Sequence, residues 1–365
     1  MDPCSFFRGD KSCNPAHQTD AKRVPDLQIV FSASTETGLQ EAKKNLPQLA
    51  HHFLLPIDFS WTMKRLASRI NPKLLILVES DFWYNLMSSV KTVVLINGKI
   101  SERSASRFKR LPFFTNKLFS LFKLLCVQSD LYKERFTSLD ISADKIIPTG
   151  NLKFDQVIPK INLEEGRQKF GLTKEDRVIT IGSTHAPEEE LLDALAPLFP
   201  KFPHLKILLV ARHPERFPSV AALLEKKGIP FARYTDPAFT TKAQKAQVLF
   251  IDTMGLLGSC YQLSEIAIVA GSFGSELGGH NIFEPTSVGV PVLFGPHMHS
   301  QKDLVDLILS SRVGEQVTLS TLPQVVQEFL TKPPTTMRKA ALALASTMQG
   351  STQRTWECIK QLVNT

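Results

Sequence analysis

Short apolar runs and amphipathic stretches take turns along most of the chain. The apolar runs fall at 26–32, 53–56, 73–78, 92–96, 123–127 and 145–148, and again at 177–181, 206–210, 248–251, 265–270 and 290–294. Runs with so few polar positions read as strands buried on both faces. The stretches between them, 35–46 and 59–70 among them, have helical character. In 59–70, Trp61, Leu66 and Ile70 share one side, Lys64, Arg65 and Arg69 face solvent, and Asn71-Pro72 ends the helix. Strands of about five residues separated by helices imply βαβ units and a parallel sheet, an α/β fold. The pattern pauses at 150–160 and then restarts. Two domains are therefore expected, 26–150 and 151–335, with 336–363 reading as one long helix in a terminal segment 336–365. Residues 1–25 read as a disordered tail.

Each polar cluster follows the C-terminal end of an expected strand, where open α/β sheets bind ligands. Glu79-Ser80-Asp81-Phe82-Trp83, Gly182-Ser183-Thr184-His185, Arg212-His213-Pro214 and Asp252-Thr253-Met254-Gly255 are four of them. The richest lies after 265–270. It carries Gly271, Gly274, Gly278 and Gly279, then His280, Asn281 and Ile282-Phe283-Glu284-Pro285. Glycines let backbone N–H groups approach a ligand, and the start of a helix favours an anion. Glu284 is placed to accept hydrogen bonds from a sugar diol. A tight strand–helix turn with no ligand is the plainer alternative.

Composition narrows the partner. The chain has 365 residues, 43% hydrophobic and 21% charged, enough for two ordinary globular domains. A net charge of +8 points to an acidic partner: a nucleotide, a phosphorylated lipid, an anionic membrane or a nucleic acid. No basic-aromatic motif supports nucleic acid. Five scattered cysteines without CxxC spacing read as reduced thiols, with neither a disulfide framework nor a zinc site. No apolar run reaches the length of a membrane span, and the first residues lack the apolar core of a signal peptide, so membrane contact is expected to be peripheral.

Several side chains could carry chemistry. Glu79 ends a buried strand, and its carboxylate is expected to project into a cleft; capping of the next helix is the alternative. Lys153, in Gly150-Asn151-Leu152-Lys153-Phe154-Asp155, could hold a phosphate without a metal, or be a solvated linker lysine. Arg212 could bind phosphate bidentately with His213 beside it. Residues 101–110 form a basic segment that is either a lipid-facing surface or a solvated helix face.

The order Gly-Gly-His-Asn, two residues, Glu-Pro, then Pro-Val-Leu-Phe-Gly-Pro resembles the nucleotide-sugar loop of the 3-deoxy-D-manno-octulosonic acid (Kdo) transferases. Arg212-His213-Pro214-Glu215-Arg216-Phe217, Glu79-Ser80-Asp81-Phe82-Trp83 and Gly150–Asp155 are similar to segments of the same family, from about Asp26 to the C-terminus. The resemblance implies a GT-B fold, two Rossmann-like domains with parallel sheets facing across a cleft. It implies inverting, metal-independent and cofactor-free transfer of Kdo from CMP-Kdo to a lipid A precursor at the cytoplasmic face of the inner membrane. Asn281, Ile282, Phe283 and Glu284, with Arg212 and His213, would hold CMP-Kdo. Met254, Gly255 and Leu256 would contribute main-chain contacts, since the family usually has an acid where Leu256 stands. Glu79 and Lys153 would stabilise the transition state. The family's general base is a glutamate in a Ser-Val-Gly-Glu segment, and residues 1–25 contain no glutamate. The expectation is a late-starting fragment or a degenerate relative that binds CMP but transfers Kdo poorly, with Glu79 the first substitute base to test. Other readings are another GT-B enzyme acting on a UDP-sugar, or a binding protein without turnover.

Overall fold

The computed structural model describes residues 28–49, 51–155 and 158–363. The tail expected over 1–25 lies outside the described residues. The chain divides into two compact units, one reaching to Gln156 and resuming at Met348, the other spanning Val157–Thr347.

The first unit holds β1 (Val30–Ala33), β2 (His51–Leu54), β3 (Leu75–Val78), β4 (Val93–Gly98), β5 (Phe122–Val127) and β6 (Ile146–Pro148). β3 to β6 pair in that order, all parallel, while β1 and β2 form a separate parallel pair. Side chains alternate across the four-stranded sheet. Leu77, Val93, Leu95, Leu125 and Val127 pack on one face against Met87, Phe119 and Phe136. Val94 and Cys126 face the other way and are covered by Trp356 and Ile359 of the helix Ser351–Val363. Two buried faces explain why these strands read as unbroken apolar runs.

The second unit holds β7 (Arg177–Thr184), β8 (Leu205–Ala211), β9 (Phe231–Arg233), β10 (Val248–Phe250), β11 (Ile266–Val269), β12 (Val292–Phe294) and β13 (Gly314–Gln316). They make one seven-stranded sheet in the order β13-β12-β11-β7-β8-β10-β9, with every pair parallel. Ile179, Ile181, Ile207 and Leu209 pack against Leu191, Leu195, Leu224 and Val326 on one side. Val178, Leu208 and Val210 pack against Phe170, Phe239, Ala243 and Cys260 on the other.

Three expectations are corrected. The helix expected over 336–363 is two, Thr335–Met348 and Ser351–Val363. They part at Gly350, whose φ of +89° lies outside the helical region. The first belongs to the second unit, where Leu342 lies against Gly289 and the Arg338 guanidinium donates to the Ser264 carbonyl at 3.2 Å. Trp61 is exposed, because the helix Ser60–Ile70 buries Met63 and Ala67, one turn apart. Instead the Arg65 guanidinium sits 5.7 Å over the Trp61 ring. Finally, Gly182, Ser183 and Thr184 extend β7 rather than opening a loop, with a register shift at Ser183, φ +61°.

Candidate functional site

In the first unit, Glu79 follows β3 with φ +58°, a conformation uncommon for a residue with a Cβ. Its N–H donates to the Ile96 carbonyl at 3.0 Å, and its own carbonyl accepts from Lys99 N–H at 3.2 Å. That turn buries the side chain. Glu79 Oε2 is 2.7 Å from Lys99 Nζ and Oε1 is 3.5 Å from Lys153 Nζ. Glu79 and Lys153, both singled out from sequence, are thus brought together. Lys99 was missed, and nothing in the motif marks it. The Lys153 loop is set by Asn97, also at positive φ, whose amide oxygen accepts from Leu152 N–H at 3.1 Å. Two ammonium groups share the Glu79 carboxylate, so these three side chains together carry a net positive charge, which suits an anion such as a phosphate. Asp81 has its carboxyl pushed up to about 7 by burial and then by the charge of Glu79.

In the second unit the candidates gather where β11, β7, β8 and β10 end side by side. Arg212 and His213 follow β8, and Arg212 N–H donates to the Thr184 carbonyl at 3.1 Å, tying the two strand ends together. Met254 and Gly255 are exposed after β10, and Leu256 begins the helix Leu257–Leu263. Asn281 folds back so that its side-chain oxygen accepts from Phe283 N–H at 3.0 Å. Ile282 and Phe283 are buried in the core, so any ligand contact they make is through the main chain. Glu284 remains partly exposed, and its charge, after burial, pushes the Tyr261 hydroxyl up while Arg212 opposes it. Glu284, Tyr261 and Arg212 are therefore electrostatic neighbours.

Two acids missed in the sequence organise this end of the sheet. The buried Glu188 carboxylate accepts N–H bonds from Gly271 at 2.7 Å, Ser272 at 3.1 Å, Phe273 at 3.1 Å and His185 at 3.1 Å. The glycine loop was expected to offer such amides to a ligand; at 271–273 they are occupied by the protein itself. Glu189, also buried, accepts from Thr184 at 2.9 Å and from Arg216 at 2.9 Å. The sequence cue was a Pro followed by three glutamates, beginning two residues after a strand-end histidine. His280, present in the loop but given no role, lies within 2.8 Å of His185, nitrogen to nitrogen. Its ring also fills the space over Gly271, where a Cβ would come within 2.4 Å of it.

No helix among the described residues is long and apolar enough to cross a membrane.

A family profile described as 3-deoxy-D-manno-octulosonic-acid transferase (kdotransferase) matches residues 12–156. The match begins before Asp26, so the family likeness reaches further towards the N-terminus than the motifs alone suggested. A 3-deoxy-D-manno-octulosonic acid transferase of Chlamydia muridarum is 34% identical over 354 residues, covering 94% of this chain and 81% of its own. One from Haemophilus influenzae is 31% identical over 346 residues, covering 92% and 80%. The crystal structure of a UDP-GlcNAc 2-epimerase from Neisseria meningitidis superposes with a TM-score of 0.61 at 14% identity, covering 98% of this chain and 97% of that one. That is a likeness of fold, and it supports the GT-B class. With relatives above 30% identity along most of both chains and the family profile across its first unit, the chain belongs to the 3-deoxy-D-manno-octulosonic acid transferase family.

Proposed function

We propose that the chain transfers Kdo from CMP-Kdo to a lipid A precursor in lipopolysaccharide biosynthesis. The observation that carries this reading is the convergence of Arg212-His213, Met254-Gly255 and Asn281–Glu284 at neighbouring strand ends of one sheet. In this reading Arg212 faces the donor phosphate, Glu284 accepts from the ribose hydroxyls, and the exposed Met254-Gly255 backbone borders the nucleotide. The transfer inverts the anomeric carbon and uses no metal. In this reading Glu79 and Lys153 stabilise the transition state, and Glu79 holds the ammonium groups of Lys153 and Lys99 in place. An acid shared by two ammonium groups is a poor proton acceptor, so Asp81, rather than Glu79, is the carboxyl of this group to test as a base.

The acceptor side is proposed to meet the membrane peripherally, at the cytoplasmic face. The helix Glu102–Lys109 carries Arg103, Arg107 and Lys109, and Arg110 follows it. Beside it Leu111 and Phe113 are exposed, Phe113 by 83%. Phe114 lies 6.1 Å from Tyr84, whose helix is capped by Asp58, with Asn85 and Leu86 N–H donating at 3.0 and 2.9 Å. That capping draws the exposed Ile57, Phe59 and Trp61 to the same region. Aromatic side chains among basic ones suit an anionic lipid surface.

Purified protein incubated with CMP-Kdo and a lipid A precursor tests the activity. Calorimetry with CMP tests the site: Glu284→Ala is expected to weaken binding by about 1–3 kcal/mol, the loss of a charged hydrogen-bond partner. Unchanged affinity in a folded variant would remove Glu284 from the site.

A further inference from the structure

Three histidines stand in a row across consecutive strand ends. His280 follows β11, His185 follows β7 and His213 follows β8, and these strands are neighbours in that order. The His185 and His280 rings are stacked, centroids 5.0 Å apart and planes 24° apart, with their Nε2 atoms 2.8 Å from each other. His213 meets His185 edge-on at 5.1 Å.

Two imidazole nitrogens at hydrogen-bond distance can share only one proton. If both rings are neutral, one Nε2 donates and the other accepts. The donor ring then has a bare Nδ1, and the acceptor ring carries its proton on Nδ1. The surroundings favour this neutral pair. Burial is the largest influence on His185, followed by His213, Arg216 and Arg212; Glu189 opposes them, and the ring is held down to about 4. For His280 the order is burial, His185, Arg212 and His213, and the ring is held down to about 3. Of the nearby acids, Glu189 is engaged with Arg216 and Thr184 and Glu188 with four backbone amides, while Glu215 lies 3.6 Å from His213 Nδ1, on the outer ring of the row.

We propose that His185 and His280 together form an anion subsite that takes up one proton when a phosphate group binds beside Arg212. The proposal rests on the donor-site reading above and adds two residues and a proton to it. A bound anion offsets the neighbouring positive charge that, after burial, disfavours protonation of the pair. The proton goes to the bare Nδ1, giving the pair a second N–H donor. Because Glu188 occupies the amides at 271–273, the anion is left to the histidine row and Arg212. Uptake on binding means that affinity falls as pH rises through the range between the free pair's titration and the bound pair's.

Calorimetry in two buffers of different ionisation heat, at about pH 6, counts the protons. The probes are inorganic sulfate, which keeps its charge throughout, and CMP, with its own phosphate ionisation subtracted. Both are expected to bind with an uptake approaching one proton, and sulfate affinity should fall by up to about tenfold per pH unit. His185→Gln and His280→Gln should each abolish the uptake. Binding without uptake in the wild type, or uptake that persists in both variants, overturns the proposal. Sulfate uptake without any CMP binding would keep the subsite and sink the donor reading. CMP binding without uptake would do the opposite, and binding of neither probe would remove both.

Discussion

A carboxylate that accepts four amide N–H bonds takes the place a bound anion would otherwise fill, and Glu188 does so between the ends of β7 and β11. Replacing it with alanine orphans those donors, so Glu188→Ala should destabilise the protein by at least about 3 kcal/mol in urea unfolding, since each buried unpaired group costs roughly 1–3 kcal/mol. Glu188→Gln keeps the shape but sets an amide NH₂ against N–H donors, and should recover only part of the loss. Asp81 makes a prediction of the opposite sign. Burial and Glu79 raise its carboxyl from 3.8 to about 7 in the folded protein, so the folded state holds that proton more tightly than the unfolded chain. Stability is then lost as pH rises from about 4 to about 7. Asp81→Asn should flatten that decline and leave stability below about pH 4 unchanged, as read from denaturation midpoints across pH. The motif around Glu79 was legible in the sequence, but the part played by Lys99 was not. A lysine just past the end of β4 acquires its role only when the turn at Glu79 aligns the two strand ends. The same holds for Glu188: its acceptor role depends on a loop 83 residues away, and no local pattern encodes that register.

The strands were legible because most are buried on both faces, and a buried strand leaves an apolar run in the sequence. β9 and β13 were missed for the complementary reason. Each is three residues long at an edge of the seven-stranded sheet, and β13 reads Gly-Glu-Gln. The break at Gly350 was missed because helical periodicity resumes on either side of it. Glycine is required here by its positive φ, and at Gly150 by both its φ of +96° and the approach of Ser351, whose Oγ would lie 2.3 Å from an added Cβ. Gly150→Ala should therefore disturb the start of the helix Ser351–Val363 and cost roughly 1–3 kcal/mol, in the range of strained backbone and overpacking. Gly350→Ala meets only Arg354, 3.0 Å away at the end of a flexible side chain, and should cost less. Thermal unfolding of the two variants side by side checks the order.

Across the whole chain the net charge of +8 was read as a sign of an acidic partner, and the structure adds exposed apolar side chains beside part of that charge. If the basic segment governs attachment, binding to anionic vesicles should fall steeply with added salt. If the aromatic side chains insert, Phe113→Ser should weaken the binding that survives at high salt; co-sedimentation separates the two contributions. The division into units was legible as a pause near 150–160, whereas the return of the chain to the first unit was implied only by the GT-B resemblance. Nothing in an amphipathic helix declares which sheet it will cover. That return sets an order on synthesis. The second unit is a continuous stretch and can close as soon as it leaves the ribosome, whereas the face of the first sheet formed by Val94 and Cys126 waits for Trp356 and Ile359, which follow the second unit in the chain. Of the two units, the one translated earlier is therefore the one that finishes folding later. A nascent chain stalled before Met348 should present an open apolar face to chaperones, with the second unit already resistant to protease beside it.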